Sequence, residues 1–214
     1  MKPRFANQKT AALTLTEVLV VIAALVLLAC ILLPVLAAWK HKSNRISCIS
    51  NLKQVGITYR MWADDNGGKF PMQVSVTNGD AMELIATGNV AAYFRVMSNE
   101  LDSPQVLICP QDTEHISATD FASLNNSNIS YFVGLDAADT QPQSLLSGDD
   151  NLMVNGKRVQ SGILDLHTTD SLAWTEERHQ GAGNVLLGDG SAQQANSADL
   201  TSLARFATNR LAIP

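Results

Sequence analysis

The sequence predicts an α+β fold: one long N-terminal helix whose second half packs on an antiparallel β-sheet. Three observations carry this. The run from Val18 to Ala38 contains no charged residue. Behind it, apolar residues recur at spacings of three and four as far as Trp62. From residue 129 onward the pattern changes to short aromatic and β-branched stretches separated by turn signals such as Asn155-Gly156.

The apolar run comes first. At about 1.5 Å per residue it spans the roughly 30 Å hydrocarbon core of a bilayer. It predicts a transmembrane helix over 13–38, interrupted only by Pro34. The run exceeds the h-region of a secretory signal, about 7–15 residues. The small pair Ala37-Ala38 leaves cleavage there as an alternative. Leu28-Ala29-Cys30 has the outline of a lipobox, but Ile31-Leu32-Leu33 stay apolar where a lipoprotein turns polar. Glu17 stands at the head of the run. An acid inside a membrane helix costs about 2.5–3.5 kcal/mol at the centre and less near an end, so its presence asks for a role. One role is local, because Thr14-x-x-Glu17 before an apolar run fits a capping box.

The string Ala11-Ala12-Leu13-Thr14-Leu15-Thr16-Glu17, followed by Val18 to Ile22 and preceded by Lys2, Arg4 and Lys9, resembles the N-terminus of type IV pilins and type II secretion pseudopilins. Ala12 takes the place of the family's usual Gly, Leu13 that of its Phe, and Glu17 that of its Glu. The first two are departures that keep the register. The resemblance implies a leader over 1–12 and cleavage between Ala12 and Leu13 by a prepilin peptidase. It also implies N-methylation of Leu13 and assembly with other pilin-like subunits through Glu17. It places the leader in the cytoplasm, the helix in the cytoplasmic membrane and residues 39–214 outside. Basic residues flank the helix on both sides, so charge alone does not orient it.

The rest of the 214 residues suffices for one domain with a real core. The formal charge is −5, with 20 acids against 15 bases, three of them in the leader. No basic stripe remains to neutralise phosphates, which excludes nucleic acid as a partner.

Residues 39–65 continue the helix. Ile46, Ile49, Leu52, Val55, Tyr59 and Trp62 form its core stripe, and Asp64-Asp65-Asn66-Gly67-Gly68 stops it. A short helix is expected within 82–93. Val106 to Pro110 reads as a short strand or buried extended segment, and 111–128 as loop. Ile129 to Leu135, Gln143 to Ser147 and Leu172 to Trp174 read as strands. Asn155-Gly156 joins Leu152–Val154 to Lys157–Val159 in one hairpin, and Gly188-Asp189-Gly190 joins Asn184–Leu187 to Ser191–Ala195 in another. Ser197 or Asp199 caps a last helix over 199–208, with Leu200, Leu203, Ala204 and Ala207 on one face.

His179 is followed nine residues on by Asp189-Gly190. This resembles the signature of a bacterial family of prepilin-type, processing-associated proteins. Arg45-Ile46-Ser47-Cys48 with Asn51-Leu52-Lys53-Gln54, then Met61-Trp62-Ala63-Asp64-Asp65-Asn66, then Ile129 to Leu135, are similar to that family too. The family implies a pilin-like membrane subunit and no known reaction.

No nucleophile elbow, P-loop or zinc signature is present, so neither an enzyme nor a cofactor is expected. His41, His115, His167 and His179 show no ligand spacing, and no metal site is expected. Asp64-Asp65 and Asp149-Asp150 have oxygen donors for Ca²⁺ but read as solvated turn acids. Cys48 and Cys109 lie beyond the membrane, where an oxidising compartment favours a disulfide between them. His179 is expected to hold its corner of the fold by hydrogen bonding. A His179–Asp189 dyad with Ser191 is the remote alternative. The function predicted is a pilin-like or pseudopilin subunit. The alternative is a membrane-anchored extracytoplasmic binding module that does not polymerise.

Overall fold

The computed structural model describes residues 14–75, 82–207 and 210–214. The expected leader, Ala12 and Leu13 lie outside the described residues. Helix α1 runs Leu15–Asp65. The chain divides into two units, Met1–Lys40 and His41–Pro214.

In the first unit, Leu15–Leu33 is 19 residues long with mean hydropathy 2.9, long and apolar enough to cross a membrane. Its large apolar side chains, Leu19, Val20 and Ile31 among them, are exposed within the chain. An apolar surface of this length with no cover from the chain itself suits a lipid surround.

In the second unit, the rest of α1 is amphipathic. Cys48, Leu52, Val55, Tyr59, Trp62 and Ala63 are buried in one core cluster. Their spacing of three to four keeps them on one face. The expected stripe includes Ile46, but Ile46 is 56% exposed, and Cys48 takes the inward position instead. The helix ends where Gly67 and Gly68 adopt positive φ and the Gly68 N–H reaches the Ala63 carbonyl at 2.8 Å.

Nine strands follow among the described residues: β1 Tyr131–Gly134, β2 Leu145–Asp149, β3 Leu152–Val154, β4 Lys157–Arg158, β5 Gly162–Asp165, β6 Leu172–Trp174, β7 Gly183–Leu187, β8 Ala192–Ala195 and β9 Arg210–Ile213. They form a six-stranded sheet, β5-β9-β1-β2-β7-β8, and a three-stranded sheet, β4-β3-β6. Their pairings are antiparallel. The central strands β1, β2 and β7 are buried on both faces, polar Ser147, Asp149 and Asn184 included. Tyr131, Val133, Leu146, Leu186 and Ala212 face α1 and the short helix α2, Val90–Val96. Phe132, Val185, Leu187, Leu211 and Ile213 face the other way, onto the small sheet and helix α3, Ser197–Ala207. Tyr59 meets Phe70 and Phe94 edge-on at 5.6 and 6.3 Å, contacts worth about 0.5–1.5 kcal/mol each beyond burial.

Both hairpins form as the turn residues require. Asn155 and Gly156 have φ of 50° and 77°, the two positive values of a type I′ turn between β3 and β4. β7 pairs with β8 across Gly188-Asp189-Gly190.

Other expectations need correction. Pro104–Leu107 is a 3₁₀ turn rather than part of a strand, set by Pro104 and the Ser103 cap. α3 begins at Ser197 and is capped by neither Ser197 nor Asp199. Asn196 accepts the Ala198 and Asp199 N–H groups, and Asp199 accepts the Asn196 N–H in return. Strands β5 and β9 are additions to the expected set.

Candidate functional site

The turn at 176–181 carries the chain from β6 into β7. Within it His179, Gln180 and Gly181 have φ of 50°, 57° and 72°. Two successive non-glycine residues in this region cost backbone energy, and such strain collects at sites that use it. The outcome is a buried His179, 3% exposed, at the end of the sheet.

Three other buried side chains meet it. Cys48 comes from the inward stripe of α1. Cys109 follows the Pro104–Leu107 turn; its N–H donates to Ser130 Oγ at 3.0 Å, and Asn51 Nδ2 holds the neighbouring Ile108 carbonyl at 2.9 Å. Asp149 closes β2. Cys48 Sγ lies 3.3 Å from Asp149 Oδ1, and Cys109 Sγ lies 3.4 Å from His179 Nε2. His179 Nε2 lies 3.4 Å from Asp149 Oδ2. One donor atom from each of the four lies within 4.8 Å of every other. Asn184 on β7 donates to Asp149 Oδ2 from its backbone N–H at 2.7 Å and its side chain at 3.0 Å.

Burial pushes the Asp149 carboxyl up to about 6, against the hydrogen bonds from Asn184 and Cys48. Burial, then the charges of Arg45 and Arg178, lower His179 to about 4. Burial also drives the Cys48 thiol far above its usual range. Every one of these shifts favours the uncharged form, as desolvation requires.

A second cluster adjoins the first through Ser130, whose Oγ donates to Asp112 Oδ2 at 2.6 Å. Arg178 bridges Asp112, at 2.6 Å, and Asp150. His115 Nδ1 lies 2.8 Å from Asp112 and its Nε2 3.8 Å from Asp150. Here the cation is the guanidinium, and the cluster is an ion-pair network. An open groove of about 310 Å³ runs beside it, past Glu114, His115, Asp150, Arg158 and Pro214.

These positions revise several expectations. Asp149 is buried and Asp150 half-buried, and both are partnered, because the strand end carries them under the 176–181 turn; they are not solvated turn acids. Cys48 and Cys109 are free thiols, so the expected disulfide is not formed; Cys48 donates to Asp149 Oδ1, and Cys109 Sγ lies against His179 Nε2. His spacing along the chain gives no ligand set, yet the fold builds a four-donor pocket around His179.

His179 hydrogen-bonds at its corner as expected, but Asp189 is not its neighbour. The two lie beyond opposite ends of β7, whose five residues span about 17 Å. Asp189 Oδ1 accepts the Ser191 N–H at 2.8 Å inside the turn. At the head of α1, Thr14 Oγ1 accepts the Glu17 N–H at 3.3 Å, and Glu17 accepts the Thr14 N–H at 2.7 Å. That is the reciprocal capping box.

Sequence reasoning missed Asp112, His115, Ser130, Arg178 and Asn184 as members of one site. Asp112 and His115 are three residues apart, but no local signal joins them to Ser130, Arg178 and Asn184, which lie in other segments. No protein-family model matches the chain, and no curated protein or solved structure matches it either.

Proposed function

We propose that the chain is a pilin-like or pseudopilin structural subunit of a type II secretion or type IV pilus-like system. In this reading a prepilin peptidase removes residues 1–12 and Leu13 becomes the methylated first residue. The apolar helix holds the subunit in the cytoplasmic membrane, and the sheet domain stands outside it.

The observation that supports this reading is the junction at Thr14–Glu17. A carboxylate heads a helix whose apolar surface is exposed from Leu15 to Leu33. In the uncleaved chain Glu17 is satisfied by Thr14. Packing of such helices against one another takes Glu17 out of water, where a carboxylate needs a cation. Cleavage supplies one, the Leu13 amine of a neighbouring subunit. Exposed Ile46, Ile57 and Met61 add an apolar strip on the outer side of α1 within the domain.

The groove beside Arg158 favours a second reading, a membrane-anchored binding module that does not polymerise. Shearing the cell surface and probing the filament fraction separates the two. A subunit appears in that fraction, and Glu17→Ala removes it while membrane insertion persists. A module stays with the membrane, and filaments that form normally in the Glu17→Ala variant rule out the pairing.

A further inference from the structure

The pocket formed by Cys48, Cys109, Asp149 and His179 draws four donor atoms from four segments far apart in the chain. We infer that it binds one Zn²⁺ ion through Cys48 Sγ, Cys109 Sγ, a carboxylate oxygen of Asp149 and Nε2 of His179. This holds whether or not the chain assembles into filaments.

The donor set comes first. Two sulfurs, an imidazole and one carboxylate suit a borderline-soft cation, and two thiolates argue against Ca²⁺ and Mg²⁺, which take oxygen ligands. Spacing comes second. Tetrahedral zinc with bonds of about 2.3 Å to sulfur and about 2.0 Å to nitrogen or oxygen sets neighbouring donors about 3.3–3.8 Å apart. Cys109 Sγ lies 3.4 Å from His179 Nε2, and the two oxygens of Asp149 reach one neighbour each, Oδ1 at 3.3 Å from Cys48 Sγ and Oδ2 at 3.4 Å from His179 Nε2. Pairwise hydrogen bonding explains each contact singly. Convergence of all four donors within 4.8 Å is what a central ion adds.

The groups around Asp149 and Cys48 fit as well. Asn184 holds Asp149 Oδ2 with two N–H groups, which orients the carboxylate as metal ligands are oriented. The Tyr131 hydroxyl lies 3.6 Å from Cys48 Sγ, close enough to donate to a thiolate. Binding expels both thiol protons to solvent. Two thiolates and a carboxylate around a dication leave one negative charge, and Arg45 and Arg178 both act electrostatically on His179 beside it. All four ligands are buried, with no position open to a substrate, so the site is structural. It clasps α1, the 104–110 segment, the end of β2 and the turn before β7. Ligation also withholds Cys48 and Cys109 from oxidation to a disulfide.

The test uses the full-length protein in detergent, purified without chelator or reductant. Elemental analysis and intact mass are measured on the same sample. The expected result is one zinc per chain with Cys48 and Cys109 reduced. Both should resist alkylation until a chelator is added and regain protection when zinc returns. Replacement by Co²⁺ should give a thiolate-to-cobalt charge-transfer band that Cys48→Ser and Asp149→Asn each weaken or abolish. Metal-free protein with reduced thiols overturns the inference, as does a mass two hydrogens short from a Cys48–Cys109 disulfide. Zinc that survives the Cys48→Ser/Cys109→Ser double variant overturns it too. The wild-type measurements decide the matter even if a variant fails to fold.

Discussion

Gly56 of α1 lies against Gly190 in the β7–β8 turn: a β-carbon placed on Gly56 would stand 2.8 Å from the Gly190 carbonyl oxygen and 2.6 Å from Leu186 Cδ1. The helix and the Asp189-Gly190 turn therefore meet backbone to backbone. The turn shapes this contact at the far end of β7 from His179. Gly56→Ala should cost about 1–3 kcal/mol as overpacking, read as a lower denaturant midpoint with an unchanged slope. An unchanged midpoint would mean that the two elements part freely.

Gly156 gives the contrasting case. Its φ is 77°, and nothing lies within 4 Å of a β-carbon there. Gly156→Ala should therefore cost only backbone strain, about 1 kcal/mol, and leave packing intact. A loss as large as that of a core cavity would show that the β3–β4 turn is packed in a way its geometry does not reveal.

Arg178 is 4% exposed and bridges Asp112 and Asp150. Arg178→Met should cost about 3–5 kcal/mol, because it leaves two buried carboxylates without their cation. Changing Asp112 and Asp150 to Asn in the same chain should recover part of that loss. Recovery of nothing would mean that Arg178 acts by its shape alone.

The same network sets a pH dependence. The hydrogen bond to Asp112, opposed by burial, raises His115 above its ordinary value of about 6.5. Its stabilising contribution is full below that value and is lost as pH rises through the higher folded-state value. Burial opposes ionisation of Asp112, but hydrogen bonds from His115 and Ser130 and the charge of Arg178 win and hold it well below the carboxylate range. Its contribution is present above about 3.9 and disappears as pH falls through the lowered value. Asp150 is raised by burial, against the charges of Arg178 and His115, so its contribution is full below the ordinary carboxylate value and is lost as pH rises through its own raised value. Denaturant midpoints measured against pH should fall above about 6.5, and His115→Gln should flatten that fall. A fall of the same size in His115→Gln would assign it to another group.

What the sequence made legible was local. The apolar run, the Leu52-Val55-Tyr59-Trp62 part of the expected stripe and the Gly67-Gly68 stop are periodic or steric signals complete within one segment. Asn155-Gly156 and Gly188-Asp189-Gly190 are turns whose residues carry the geometry themselves. β9 escaped because Arg-Leu-Ala-Ile has one β-branched residue and no aromatic to mark a strand, and only pairing with β1 and β5 makes it one. The same holds for the four-donor pocket. Cys48 and Asp149 stand 101 residues apart, and Cys109 and His179 stand 70 apart. The sequence offered Cys48 and Cys109 as partners for each other. Only the fold brings an acid and an imidazole to them.

The proposed subunit begins with a cleavage, and the N-terminus of the membrane-extracted protein reports it directly. Intact mass and N-terminal peptide sequencing should find a chain that starts at Leu13, carries one methyl group on its amine, and keeps Glu17 as the fifth residue of the mature protein. A mature protein that retains Met1 to Ala12, or one that starts at Trp39, would contradict the assignment.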